Sequence, residues 1–193
     1  MPSIGMRITA LLAALATAAA VSSCGDSPPS ADARSAKHNA ADVTFAVNMI
    51  PHHQQAVDMS AMVPSHTTNR DLIHLAKHIS VDQQAQIETL RGFLGQWGEQ
   101  AALDQAGHHG PGGMAMDGMV DAATMARLPS LTGTPFDVLW LESMIRHHEG
   151  AVAMAVPEIE HGENPKAVKM AKIIVDWQQL EIGRMNAMLG PVE

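Results

Sequence analysis

Met49-Ile50-Pro51-His52-His53-Gln54-Gln55-Ala56-Val57-Asp58-Met59 is answered 95 residues later by Met144-Ile145-Arg146-His147-His148-Glu149-Gly150-Ala151-Val152-Ala153-Met154. The two copies hold Met, Ile, His, His, Ala, Val and Met in one register, which chance rarely supplies even in a chain with eleven His and fourteen Met. The offset persists without a gap through His66/His161, Asn69/Asn164, Ala76/Ala171, Ile79/Ile174, Gln83-Gln84/Gln178-Gln179, Ile87/Ile182, Leu94/Leu189 and Gly95/Gly190. Phe45 and Phe136 match only loosely, 91 residues apart. Self-similarity at a fixed spacing marks a duplicated unit, here of roughly 50 residues.

The unit is helical. Ala, Leu, Met and Gln are abundant, while three Trp, three Phe and no Tyr make a poor recipe for sheet. At the helical period, Met49, His52, Ala56, Met59 and Val63 fall on one stripe with His53 at its edge, and Met144, His147, Ala151 and Met154 repeat it. Breaks are expected near Pro64 and Pro157. Asn69 and Asn164 then serve as N-caps of two further helices reaching about Trp97 and Leu189. Their core stripes are Ala76, Ile79, Gln83, Ile87, Leu90, Leu94 and Ala171, Ile174, Gln178, Ile182, Met185, Leu189. The expected fold is all-α: a four-helix bundle of two duplicated helical hairpins, halves 41–97 and 134–190, joined by a long crossover over 98–133.

Residues 1–24 read as a signal peptide, with Arg7 as the single charge before an apolar run from Ile8 to Val21 that is short for a membrane span. Val21-Ser22-Ser23-Cys24 resembles a bacterial lipobox, so Cys24 is expected to carry a lipid that anchors the protein on the extracytoplasmic face; the alternative is a plain secretory signal. Cys24 is the only Cys, which excludes an internal disulfide and a Cys-based metal site. Residues 25–40 are small, polar and Pro-containing, a tether ahead of one bundle domain over 41–193. The net charge of −8 comes without any clustered basic face, which excludes nucleic acid as a partner and suits a cation.

A single His on a core stripe is usually structural. Two matched pairs on facing helices weigh differently, because four imidazoles near a core cost free energy unless a partner or solvent satisfies them. His52, His53, His147 and His148, with Met49, Met144, Met59 and Met154 on the same stripes, form a candidate metal set. Thioether sulfur suits Cu(I), and imidazole suits both Cu(I) and Cu(II), so copper leads, with Ag(I) as its mimic. For Met49, Met144, Met59 and Met154 the competing reading is core filling. Gln83 and Gln178 are polar on otherwise apolar stripes; they either orient imidazole N–H groups or pair with each other or with backbone.

Between the halves, His108-His109-Gly-Pro-Gly-Gly-Met114-Ala-Met116 could collect copper on a Gly-rich loop, whereas Met119, Met125 and Leu128 are expected to pack a short helix capped near Asp117 or Asp121. His74 and His78 lie off the Gln83 stripe and are expected to face solvent. His66 and His161 lie near helix C-termini, where the dipole favours them.

The Met-Ile-x-His-His-x-x-Ala-Val-x-Met motif in duplicate, with Phe136-Asp137 eight residues before Met144 and Gln-x-x-x-Ile helices behind, resembles the DUF305 family of ferritin-like bundles over roughly residues 40–190. The resemblance implies an exported protein associated with copper binding and resistance. The expected function is an extracytoplasmic copper-binding lipoprotein that buffers, sequesters or relays the ion, with a copper donor or acceptor protein as partner. The alternative is a structural or interaction lipoprotein of the envelope without bound metal. No enzyme is expected: a di-iron carboxylate centre needs Glu on several helices, and residues 42–63 contain none. Covalent haem would need Cys-x-x-Cys-His, which is absent.

Overall fold

The structure, a computed structural model, describes residues 37–107 and 116–190. Helix follows helix: α1 (Ala40–His66), α2 (Arg70–Trp97), α3 (Gln100–Gly107), α4 (Ala122–Arg127) running into a 3-10 turn (Leu128–Ser130), α5 (Thr134–His161) and α6 (Pro165–Leu189). The described residues contain no strand. The fold class is all-α. The expected leader, the lipobox Cys24 and the tether up to Ser35-Ala36 lie outside the described residues, as do His108, His109 and Met114.

Local signals set the helix starts. Asn39 caps α1 in a capping box with Asp42. Asn69 and Asn164 cap α2 and α6 by accepting from Asp71 and Leu72, and from Lys166 and Ala167. Asp121, rather than Asp117, caps α4. The expected breaks at Pro64 and Pro157 do not occur, and both helices run on to His66 and His161. A proline restrains the residues before it more than those after it, and each of these rings forfeits only one helical bond near the end of its helix.

α1 packs along α2, α5 along α6, and the two hairpins meet chiefly where α1 crosses α5. Met49 and Ile50 share a core with Ala151 and Ala155, whereas Ala56 and Met59 share another with Phe136, Trp140 and Met144. α1 and α5 therefore run antiparallel, and the His pairs lie at their crossing, between the two apolar clusters. Each large side chain buried there contributes about 1.5–3 kcal/mol. Both Gln-bearing stripes face inward as expected, with Ile182 and Leu189 only half-buried.

The halves also clasp each other reciprocally. Buried Asp42 accepts hydrogen bonds from the backbone N–H groups of Glu163 (3.1 Å) and Asn164 (2.9 Å) in the α5–α6 turn. Its repeat equivalent, Asp137, accepts from the Asn69 side chain (3.3 Å) in the α1–α2 turn. Each hairpin thus fastens the turn of the other.

Candidate metal centre

His52, His53, His147 and His148 are each fully buried. The crossing of α1 and α5 brings His52 and His147 together, ring centroids 3.8 Å apart and tilted by 34°. His53 and His148 do not join that pair as the duplication predicted. Each turns toward the second helix of its own hairpin: His53 Nε2 donates to Gln86 Oε1 (2.7 Å), and His148 Nε2 donates to Glu181 Oε2 (2.9 Å). Gln86 and Glu181 occupy equivalent positions of the repeat, so the two contacts are one contact made twice.

This corrects the assignment of Gln83 and Gln178. Both are 3 % exposed, yet neither side-chain nitrogen nor oxygen of either has a hydrogen-bond partner. The imidazole-orienting residues lie one turn further on, at Gln86 and Glu181, where the Gln/Glu divergence between copies hides their equivalence. The signal was available: the offset of 95 that pairs His53 with His148 also pairs residue 86 with 181.

The crossover closes the other side of the layer. His52 Nε2 donates to the Asp117 carbonyl (3.1 Å). The Gln55 side chain clamps both backbone groups of Val120, accepting from its N–H (2.8 Å) and donating to its carbonyl (2.9 Å). The repeat equivalent of Gln55 is Gly150, which lets Gly118 (φ 79°) approach so closely that a Cβ on either glycine would collide with backbone of the other segment. Where one half supplies a clamp, the other supplies room.

These contacts decide the tautomers. An oxygen acceptor places the proton of His52 and His53 on Nε2, and burial, the largest influence, pushes their pKa values down to about 4 and about 3. The hydrogen bonds to Asp117 and Gln86 oppose this, and neighbouring His rings reinforce it. Both rings are neutral at pH 7, with a free lone pair on Nδ1. His147 is likewise held well below its ordinary value by burial and then by the other imidazoles. The Nδ1 atoms of all four His, and Nε2 of His147, are buried without a partner.

Two Met flank the layer on each side. Met49 and Met154 belong to one apolar cluster and Met59 and Met144 to the other; all but Met154 are fully buried. No group of three or more His, Cys, Asp or Glu side chains among the described residues is arranged to hold a metal ion by itself. The donor set still fits a soft cation, because buried imidazole nitrogens without partners, with Met residues in the apolar clusters on either side, are ligand types such an ion takes. At roughly 1–3 kcal/mol for each buried polar group left unpaired, the layer is otherwise a large liability.

Elsewhere, Met116 is half-buried beside Asp117, and Met125 and Leu128 pack onto the core as expected. His74 and His78 are exposed on α2. The chain's single Glu-x-x-His spacing, Glu158 to His161, splits between interior and solvent: Glu158 is 1 % exposed and the His161 side chain 71 %. No helix among the described residues is long and apolar enough to cross a membrane.

The family model described as a domain of unknown function, DUF305, matches residues 42–189. A DUF305 protein of Streptomyces coelicolor, described as secreted, is 32 % identical with a TM-score of 0.68, over 77 % of this chain and 91 % of that one. A DUF305 fragment from Deinococcus radiodurans is 31 % identical with a TM-score of 0.67, over 80 % and 98 %. CopM in its Cu(II)-bound form is 32 % identical with a TM-score of 0.62, over 75 % and 92 %, and CopM has also been crystallised in Cu(I)- and Ag-bound forms. No curated protein sequence matches significantly. The family match over residues 42–189 makes this chain a member of the DUF305 family.

Proposed function

We propose that this protein binds copper outside the cytoplasmic membrane, at the buried His layer where α1 crosses α5, and buffers or relays the ion. The observation that carries the reading is the set of buried, partnerless imidazole nitrogens on His52, His53, His147 and His148, bracketed by Met49, Met154, Met59 and Met144. The likeness to copper-bound CopM supports the choice of ion. An apolar leader ending in a lipobox supports export and anchoring at Cys24. The work of the site is ligand exchange: His52 and His53, neutral and fixed by Asp117 and Gln86, present Nδ1, while thioethers above and below accept a soft ion without charge cost.

Competition titration of the purified protein with Cu(I), Cu(II), Ag(I), Zn(II) and Fe(II) tests this. Tight, stoichiometric uptake of copper or silver is expected, with weak uptake of Zn(II) and Fe(II). The His52, His53, His147 and His148 quadruple Ala variant should stay helical and lose that uptake. Full stoichiometry in the quadruple variant, lost instead on changing His108, His109, Met114 and Met116 to Ala, would move the site to the crossover loop.

A further inference from the structure

α2 and α6, the outer helices of the two hairpins, touch only sparingly. Between them runs a groove of about 390 Å³ lined by Asp82, Gln83, Gln86, Gln178 and Glu181, with Ile173 and Trp177 on its rim. Its floor contains both residues that hold His53 and His148, together with the two buried glutamines whose amides bond to nothing. One layer of amides and a carboxylate therefore separates solvent from two of the four imidazoles. Across the opposite side of the layer lie the Asp117 carbonyl on His52, the Gln55 clamp on Val120 and the Gly118–Gly150 approach, beside a second groove of about 470 Å³ lined by Thr44, Asp117, Met154 and Glu158.

We infer that this groove is the route by which the cation enters and leaves. Two carboxylates, Asp82 and Glu181, draw a cation into it. The amide oxygens of Gln83 and Gln178, free of other partners, replace lost hydration in passage. Gln86 and Glu181 then act as the latch: a swing of either side chain releases the Nε2–H it holds, so that the ring can turn its Nδ1 lone pair toward the groove floor. The repeat places one latch on each side of the groove, neutral in the first half and acidic in the second. This inference rests on the proposed binding of the ion at the His layer and concerns its path.

The test separates path from binding. Ala85 and Thr89 are exposed groove-lining positions, so Ala85→Trp and Thr89→Trp add bulk over the route without entering the core. Thr44 is an equally exposed position in the groove on the other side, beside Asp117 and Met154. Stopped-flow exchange of Cu(I) between each protein and a chromophoric chelator gives both rate constants, and end-point absorbance gives affinity and stoichiometry. Ala85→Trp and Thr89→Trp should slow uptake and release together, by tenfold or more, with affinity and stoichiometry unchanged. Thr44→Trp should exchange as the parent does. Gln83→Leu with Gln178→Leu, which removes the amides without blocking the groove, should also slow both directions. Parental rates in Ala85→Trp and Thr89→Trp at normal stoichiometry, or slowing by Thr44→Trp alone, would overturn the route while leaving the site intact. A parent protein that takes up no Cu(I) would overturn the site and the route with it.

Discussion

At the scale of residues, two kinds of buried polar side chain in one layer behave oppositely. Glu181 accepts from His148 at 2.9 Å with both groups buried, so its loss strands an imidazole N–H. Gln83 and Gln178 are buried with nothing to satisfy them, so replacing them with an apolar residue of similar volume removes a desolvation cost instead of creating one. Chemical denaturation of the metal-free protein should find Gln83→Leu/Gln178→Leu as stable as the parent or more so, and Glu181→Leu less stable by about 2 kcal/mol. Copper affinity should fall about 10–100-fold in Glu181→Leu, the usual consequence of losing a residue that orients a ligand imidazole. A destabilised glutamine double variant would mean that those amides have partners in solution. The Met and His identities were legible from the repeat alone. Which polar neighbour orients which ring was not, because Gln83 and Gln86 lie only one turn apart on α2 and only packing selects between them.

At the scale of elements, the crossover is a single strap laid across a duplicated pair of helices, so it cannot meet both copies in the same way. The repeat diverges where it lands: Gln55 grips the Val120 backbone, and Gly150 yields to Gly118. Gly150→Ala would drive its methyl into the Asp117 carbonyl that holds His52, and backbone cannot yield as a side-chain tip can. The expected loss is about 2 kcal/mol or more, with a lowered Tm and faster hydrogen exchange in residues 116–120. Gln55→Ala should loosen the same strap more mildly, by about 1 kcal/mol. Unchanged exchange in residues 116–120 of Gly150→Ala would show the strap is not seated there. In the sequence, the Gln55/Gly150 mismatch looks like ordinary drift between copies, since a requirement for close backbone approach leaves no mark except the glycine itself.

At the scale of the whole molecule, buried ionisable groups give the two hairpins a preferred pH. His52 and His53 have folded-state pKa values of about 4 and about 3, below the ordinary 6.5, so the unfolded chain binds more protons between those limits and stability falls as pH drops below 6.5. The limiting slope is about 1.4 kcal/mol per pH unit for each such imidazole. Glu158, beside Asp42 at the clasp between hairpins, behaves in the opposite sense: burial first, and the Asp42 carboxylate second, raise it from 4.5 to about 8. Its folded form keeps a proton that the unfolded chain releases, so its contribution is lost as pH rises from 4.5 through 8. The Tm of the metal-free protein should therefore peak near pH 6.5 and fall on both sides. Glu158→Gln should abolish the alkaline decline and leave the acid limb in place, whereas an unchanged alkaline limb would exclude Glu158 as its cause. Copper should displace the acid limb to lower pH, because an occupied imidazole resists protonation.

The amino-acid sequence determined by itself that this is a duplicated helical protein with His and Met at its centre, because periodicity, repeat offset and capping residues are local properties that survive in one dimension. Asn69 and Asn164 mark helix starts in the chain as plainly as in the fold. What only the tertiary structure decided is how the copies are used. The antiparallel crossing of α1 and α5 brings His52 to His147 but sends His53 and His148 outward to Gln86 and Glu181, Asp42 and Asp137 reach across to each other's hairpin turns, and one strap meets Gln55 on one side and Gly150 on the other. A symmetric sequence leaves such choices open, since each depends on the angle and register at which two like helices pack, and those follow from the fit of side chains contributed by distant parts of the chain.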